Sequence, residues 1–331
     1  MSNHPLVSVG LAVYNGEEFI SRAIKSVLAQ TLKNWELIIV NDGSTDNTLS
    51  VIKSFSDKRI KVIDLPQNVG VTAARNHYLK YSKGKYIAVI DSDDEWYPTK
   101  LEKQVNFLET NKEHVVCGTF ANRTNGSTGY IWQYPVNDED IRIRLLWGSS
   151  IIHSSILICK SILDNNNLNY DCNQIQAEDY KLICECTKYG KAFNIPEVLL
   201  NYYEHRMQLT TKKLEQAEHS AKAAWYYINN VIGISISDNY FHSFFQLFIY
   251  QSKLSKKNIS KISYLLKLIL NNPNKWFNTK KLQKSISARF YIICSLTSLP
   301  LINILRYKSK NLISYKQAGK LFIKRIITIR K

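Results

Sequence analysis

Short apolar runs and amphipathic segments alternate four times before Asp91, and that alternation limits the fold more than any other feature of the chain. Leu6 to Tyr14 (LVSVGLAVY) and Trp35 to Val40 (WELIIV) are rich in β-branched residues, as expected of strands buried in a parallel sheet. Ile60 to Asp64 and Tyr86 to Ile90 (YIAVI) are shorter runs of the same kind. Between them, Phe19, Ile20, Ala23, Ile24, Val27 and Leu28 recur at helical spacing. Thr45-Asp46-Asn47 offers capping residues for a helix through Val51 and Phe55, and Val71 to Tyr81 reads as another helix. Together these segments predict an α/β fold with a mostly parallel sheet and helices on both faces.

The alternation loosens after about Val115. Val115 to Phe120 and Ser155 to Cys159 read as further strands, and Glu178 to Lys188 as a helix. From about Leu214 the pattern becomes helical and Lys-rich, with segments such as Ile262 to Leu270 and Gln317 to Ile329 separated by a break at Asn272-Pro273-Asn274. The expected organisation is an α/β domain over 1–212 and a basic helical region over 213–331.

Charge divides along the same line. The net +17 is not spread over the chain: up to Asp238 there are 25 Lys or Arg against 27 Asp or Glu, and from Asn239 onward 19 against none. A like-charged segment interleaved with Trp276, Phe277, Phe290 and Tyr291 suits an anionic membrane surface. Nucleic acid is the other anionic partner, but no aromatic RNA-binding motif is present and the apolar faces are too large for a purely phosphate-binding stripe. The longest strongly apolar uncharged stretch, Phe290 to Leu305, has 16 residues and contains Pro300, short of the roughly 20 a spanning helix needs. No secretory signal is visible at Met-Ser-Asn-His-Pro. The six cysteines form no C-x-x-C pair and read as free thiols. A cytoplasmic protein, peripheral on the inner face of the cell membrane, is the expectation.

Ligands of open α/β sheets bind at the carboxyl ends of strands. Three such ends carry polar clusters here: Tyr14-Asn15-Gly16, Asn41-Asp42-Gly43-Ser44 and Asp91-Ser92-Asp93-Asp94. Three carboxylates in four positions repel one another unless a cation or a dense donor network offsets them. Hard oxygen donors with no adjacent His or Cys suit Mg²⁺ or Mn²⁺, which also bind phosphate oxygens.

With these pieces in order, the chain resembles glycosyltransferase family 2, the inverting enzymes with a GT-A fold, of the type that builds bacterial surface polysaccharides. The matching segments are VSVGLAVYNGEE, WELIIVNDGSTDNT, NVGVTAARNHYL, GKYIAVIDSDDEWYPTKL and AEDYKL, which span roughly 6 to 205. Five ordered motifs are far more specific than a lone D-x-D. The resemblance implies a nucleotide-sugar donor, UDP by default, held by Tyr14 stacking on the base and Asp42 bonding its edge. It also implies donor contacts from Arg75, Asp91 and Asp93, with Asp93 the direct metal ligand and Asp91 near the ribose or sugar. His205 is a further candidate metal or diphosphate contact, although Tyr203 stands where many relatives carry Arg. Asp179 is the implied base and Glu178 its support. Trp147 and His153 lie where an acceptor, a saccharide free or lipid-linked, is expected.

Chemistry agrees with those assignments. A leaving nucleoside diphosphate gains charge that a metal neutralises, while a carboxylate takes the proton of the acceptor hydroxyl. Two other readings compete. A sugar nucleotidyltransferase would need a Gly-rich basic loop after the first strand, and Tyr14-Asn15-Gly16-Glu17-Glu18 is neither. A non-catalytic membrane- or carbohydrate-binding protein leaves the acidic strand ends unexplained.

Overall fold

A computed structural model describes residues 4–174, 176–204, 213–249, 256–272 and 276–296. The chain forms two compact units, one from Met1–Ile141 with Ser149–Thr211, the other from Arg142–Gly148 with Lys212–Lys331.

The first unit is built on a nine-stranded sheet. Its strands are β1 (Val7–Val13), β2 (Trp35–Asn41), β3 (Ile60–Asp64), β4 (Tyr86–Val89), β5 (Glu95–Trp96), β6 (His114–Thr124), β7 (Gly129–Trp132), β8 (Leu157–Cys159) and β9 (Lys191–Tyr203). The order is β3-β2-β1-β4-β8-β6-β9-β5, with β7 paired to β6. The first four strands are parallel, as the alternation predicts. β8 joins β4 antiparallel, so the sheet becomes mixed beyond its first four strands.

Alternation along β1 places helices on both faces. Val7, Val9, Leu11 and Val13 share one buried cluster with Ile20, Ala23, Ile24 and Val27 of α1 (Ile20–Leu28) and Leu101, Val105 and Leu108 of α4 (Lys100–Thr110). On the opposite side, Gly10 leaves room for the Tyr78 ring of α3 (Val71–Tyr81): a Cβ at that position would lie 2.3 Å from the ring. Any larger residue there would push α3 off the sheet.

Several boundaries differ from the sequence expectation. The second helix, α2 (Thr48–Lys53), stops before Phe55. Its first free amide is served by Asp46, whose Oδ1 accepts from Thr48 N at 3.0 Å. Ser155 belongs to a single 3₁₀ turn, His153–Ser155, rather than to the strand that follows. The helix opened by Glu178, α7 (Glu178–Cys186), ends two residues early. β9 was not anticipated, because its 13 residues contain Pro196 and mix polar with apolar side chains.

The second unit contains α8 (Lys213–Tyr226), α9 (Phe241–Ile249), α10 (Lys256–Asn271) and α11 (Thr279–Leu296); α5 (Asp138–Arg144) and α6 (Lys160–Asn165) come earlier in the chain. Its core includes Phe244, Leu247, Ile262, Leu265, Leu266, Ile286 and Phe290. Among the described residues no helix is long and apolar enough to cross a membrane. The expected helix at Gln317 to Ile329, most of the apolar stretch from Phe290 to Leu305, and Pro273 with Asn274 lie outside the described residues.

Candidate active site

The carboxyl ends of β1, β2 and β4 carry the three polar clusters and are held together by side chains that satisfy loop amides. Asn15, in the left-handed region at φ 51°, donates its N–H to Ser44 Oγ at 3.0 Å, while its own Oδ1 accepts from Thr45 N at 2.8 Å. Gly16 N donates to Thr48 Oγ1 at 2.8 Å. These bonds fix the loop from which Tyr14 projects, with its ring 49% exposed. Such a ring can stack on a planar base.

Asp42 is buried, and both its oxygens are occupied. Oδ1 accepts from Val69 N at 2.8 Å and Oδ2 from Gly70 N at 3.1 Å. The carboxylate therefore organises the entry to α3. That placement sets Arg75 one turn further along.

Arg75 joins two distant segments. Its guanidinium donates to Asp91 Oδ1 at 3.0 Å and pairs with Glu178 Oε1. One planar fork thus ties the end of β4 to the start of α7, a geometry that a lysine ammonium cannot reproduce. Asp179, next to Glu178, is half-buried. Its pKa is raised above the ordinary value of 3.8, first by burial and then by Glu178, with His153 and Arg75 opposing the rise.

His153 was expected to face the acceptor, but both of its ring nitrogens are engaged inside the protein. Nδ1 lies 3.1 and 3.2 Å from the two oxygens of Asp91, and Nε2 lies 3.0 Å from Tyr170 Oη. Tyr78 donates in turn to Tyr170 at 3.1 Å. Gly10, Tyr78, Tyr170 and His153 form a continuous support behind Asp91. Ser154 completes it, its Oγ accepting from Asp91 N at 3.0 Å.

The repulsion expected among Asp91, Asp93 and Asp94 is largely resolved by the chain itself. Burial opposes ionisation of Asp91, but His153 and Arg75 more than offset it and hold its pKa well below the usual carboxylate range. Asp94 goes the other way: burial first, then the charges of Asp93 and Asp91, push its pKa well above 3.8. Asp94 Oδ1 accepts from Tyr203 N at 3.2 Å. Asp93, between them, is half-buried, and its carbonyl accepts from Arg22 Nη2 at 2.6 Å.

Among the described residues no three His, Cys, Asp or Glu side chains gather as a ready metal cage. The donor set still fits Mg²⁺ or Mn²⁺, because such ions are commonly held by one or two carboxylates plus substrate phosphates. His205 lies outside the described residues. Trp147 belongs to the other unit, where its indole N–H donates to Ser285 Oγ at 2.8 Å and its carbonyl accepts from Arg289 at 3.2 Å.

Sequence reasoning missed Tyr78, Tyr170 and Arg22. Tyr78 sits three residues after Arg75, on the same helical face, and that spacing was a usable signal. Tyr170 lies in a loop between α6 and α7, where no periodicity marks it.

Comparison with known proteins was consistent with this geometry. A family model described as "Glycosyl transferase family 2" matches residues 8–165. An uncharacterized glycosyltransferase of Haemophilus influenzae is 33% identical over 293 residues, covering 82% of this chain and 88% of that protein. The Escherichia coli protein WfaP, a UDP-Glc:α-D-GlcNAc-diphosphoundecaprenol β-1,3-glucosyltransferase, is 32% identical over 224 residues, covering 64% of this chain and 82% of its own length. Among solved structures, Staphylococcus aureus TarS 1–349 in complex with UDP-GlcNAc superposes with a TM-score of 0.60 at 16% identity, over 96% of this chain and 91% of that one. The first unit accordingly has the GT-A fold, and the chain belongs to glycosyltransferase family 2.

Proposed function

We propose that the protein transfers a sugar from a UDP-sugar, with inversion, to a hydroxyl of a lipid-linked saccharide during surface polysaccharide synthesis, and that a divalent metal assists. One observation carries this reading: Arg75 pairs with Asp91 and Glu178 at once, which sets the D-x-D beside the Glu178-Asp179 pair. A single displacement needs a base near the acceptor hydroxyl and a group that stabilises the departing diphosphate, and this pairing brings candidates for both together.

In this reading Tyr14 stacks on the base, and Asp42 acts through the Val69 and Gly70 amides that it holds as well as near the base. Arg75 and His153 fix Asp91 toward the ribose or sugar. Asp93 presents the metal-facing carboxylate, with Asp91 and His205 as further candidates. A bound Mg²⁺ or Mn²⁺ would supply charge neutralisation at the diphosphate that leaves when the sugar–phosphate bond breaks. Asp179 accepts the proton of the attacking hydroxyl. Its pKa, raised by burial and by Glu178, makes its carboxylate a stronger base than an exposed aspartate. Inversion rests on family membership, because one displacement from the face opposite the diphosphate reverses the anomeric centre.

The named activity of WfaP supports both the nucleotide and the class of acceptor. The domain reading extends this: 1–212 performs the transfer, and the basic region 213–331 holds the enzyme on the anionic inner face of the membrane. Membership of the family leaves no place for the nucleotidyltransferase or non-catalytic readings. The test is a transfer assay with a panel of UDP-, dTDP- and GDP-sugars and an undecaprenyl-diphosphate-linked GlcNAc acceptor, with and without chelator. Transfer stopped by chelator, restored by Mn²⁺ or Mg²⁺ and giving the inverted anomer by NMR supports the reading. A retained anomer or indifference to chelator overturns it.

A further inference from the structure

The far edge of the sheet carries an aromatic face that the roles above leave unused. β6 and β7 form a hairpin closed through Asn125, Gly126, Ser127 and Thr128, with Gly126 at φ +90°. In the register Arg123 stands opposite Tyr130 on β7 and Tyr202 on β9, and Trp132 is two residues from Tyr130, so all four side chains share one face. The Arg123 guanidinium lies 4.9 Å from the Trp132 ring, 5.8 Å from Tyr202 and 5.9 Å from Tyr130. Trp132 meets Tyr202 edge-on at 5.3 Å, and Glu204 pairs with Arg123.

We propose that this face is a saccharide subsite, which holds a pyranose ring of the acceptor away from the reacting hydroxyl. The proposal rests on the glycosyl-transfer reading and adds to it where the acceptor's remoter sugar is held. Three observations select this occupant. First, Tyr130 is 55% exposed at the end of the row, a wide surface for the C–H face of a sugar. Second, Arg123 brings donors and Glu204 acceptors to the edge of the aromatic group, the mixed set that sugar hydroxyls require. Their charges cancel, so the face lacks the positive excess that an anionic membrane would select.

Third, the row leads to the chemistry. Tyr202 adjoins Tyr203 on β9, whose N–H donates to Asp94 Oδ1 at 3.2 Å, so the aromatic row continues directly into the acidic strand end. On the reverse face, Asn122 donates to Asn201 at 3.1 Å and Asn201 donates to Glu95 at 3.0 Å, which locks β6, β9 and β5 in register. A platform held this way needs little reordering on binding.

The test is an array of bacterial and synthetic oligosaccharides probed with the intact protein and with Tyr130→Ala and Arg123→Gln, using the thermal shift with UDP as a control for folding. Wild-type protein binds a subset of the saccharides, and each variant lowers that binding by at least fivefold. Absence of saccharide binding by the wild type, or undiminished binding by both folded variants, overturns the proposal. Asp179→Asn, assayed in parallel for transfer, separates the two readings. Retained transfer in that variant removes the catalytic assignment and leaves the subsite standing. Lost transfer with undiminished array binding by Tyr130→Ala and Arg123→Gln removes the subsite alone.

Discussion

The two units handle charge in opposite ways. At the site of the first unit, charges are matched in place: Asp91 lies against Arg75 and His153, and Glu178 against Arg75. In the second, 19 positive residues follow Asp238 with no acidic residue among them. Buried opposite charges fix one geometry, which suits chemistry on a positioned substrate. An excess of like charge fixes no such geometry by itself and favours an oppositely charged partner. If the basic segment is the proposed membrane attachment, catalysis and attachment should fail under different perturbations.

The sharpest break in the first unit is Asp179→Asn. The amide keeps the shape and removes the base, so kcat should fall by about 10²–10⁴-fold. UDP affinity, measured by calorimetry, should stay within about twofold. Turnover near the wild-type level would remove Asp179 from the base role.

Arg75→Met asks whether the matched charges hold the site together. Removing one partner from a buried pair leaves carboxylates uncompensated and costs about 3–5 kcal/mol. Urea unfolding should register that loss, and Arg75→Lys should recover only part of it, since one ammonium replaces a fork that spans two acids. A loss below about 1 kcal/mol would mean that Asp91 and Glu178 are adequately solvated without the arginine.

Much of this arrangement was legible in the sequence. Four strand–helix alternations gave the parallel half of the sheet, and the clusters at Asn41-Asp42 and Asp91-Asp94 marked the strand ends. What Asp42 touches was not legible, because the amides of Val69 and Gly70 reach it only through the tertiary fold. The contacts of His153 were not legible for a related reason. Its position between the D-x-D and Glu178 suggested an acceptor contact, whereas the turn at His153–Ser155 aims it inward at Asp91. The acidic cluster itself called for a cation or a dense donor network. Arg75 and His153 supply much of that compensation from segments distant in sequence, a pairing that local pattern does not encode.

Acid should separate activity from stability within the first unit. Asp91 has a lowered pKa, so its contribution to stability is complete above the ordinary aspartate value of 3.8 and is lost only as pH falls through its lower folded value. Asp179 and Asp94 have raised pKa values, so the stability linked to their neutral forms is present at low pH and lost as pH rises through the folded values. On acidification, kcat/KM should thus decline about tenfold per pH unit below a midpoint above 3.8, while the thermal midpoint does not fall across the same interval. Parallel pH–rate and thermal-unfolding profiles check this. Coincident loss of both would show that unfolding, not protonation of the base, sets the acid limb.

The smallest predicted effect belongs to the second unit, where exposed charges act additively and weakly. Lys257 on α10 and Lys280, Lys281 and Lys284 on α11 are exposed. Near an anionic leaflet each such residue contributes on the order of 1 kcal/mol at most, reduced by salt. Replacing all four with Gln should weaken flotation with phosphatidylglycerol vesicles by about tenfold or more, and 0.5 M salt should weaken wild-type binding similarly, because the Debye length then falls to roughly 4 Å. Transfer to a water-soluble acceptor analogue should be nearly unaffected, since the matched charges of the first unit are untouched. Vesicle binding indifferent to both salt and the substitutions would assign attachment to apolar insertion, and binding to DNA but not to vesicles would replace the membrane with nucleic acid as the partner of this basic surface.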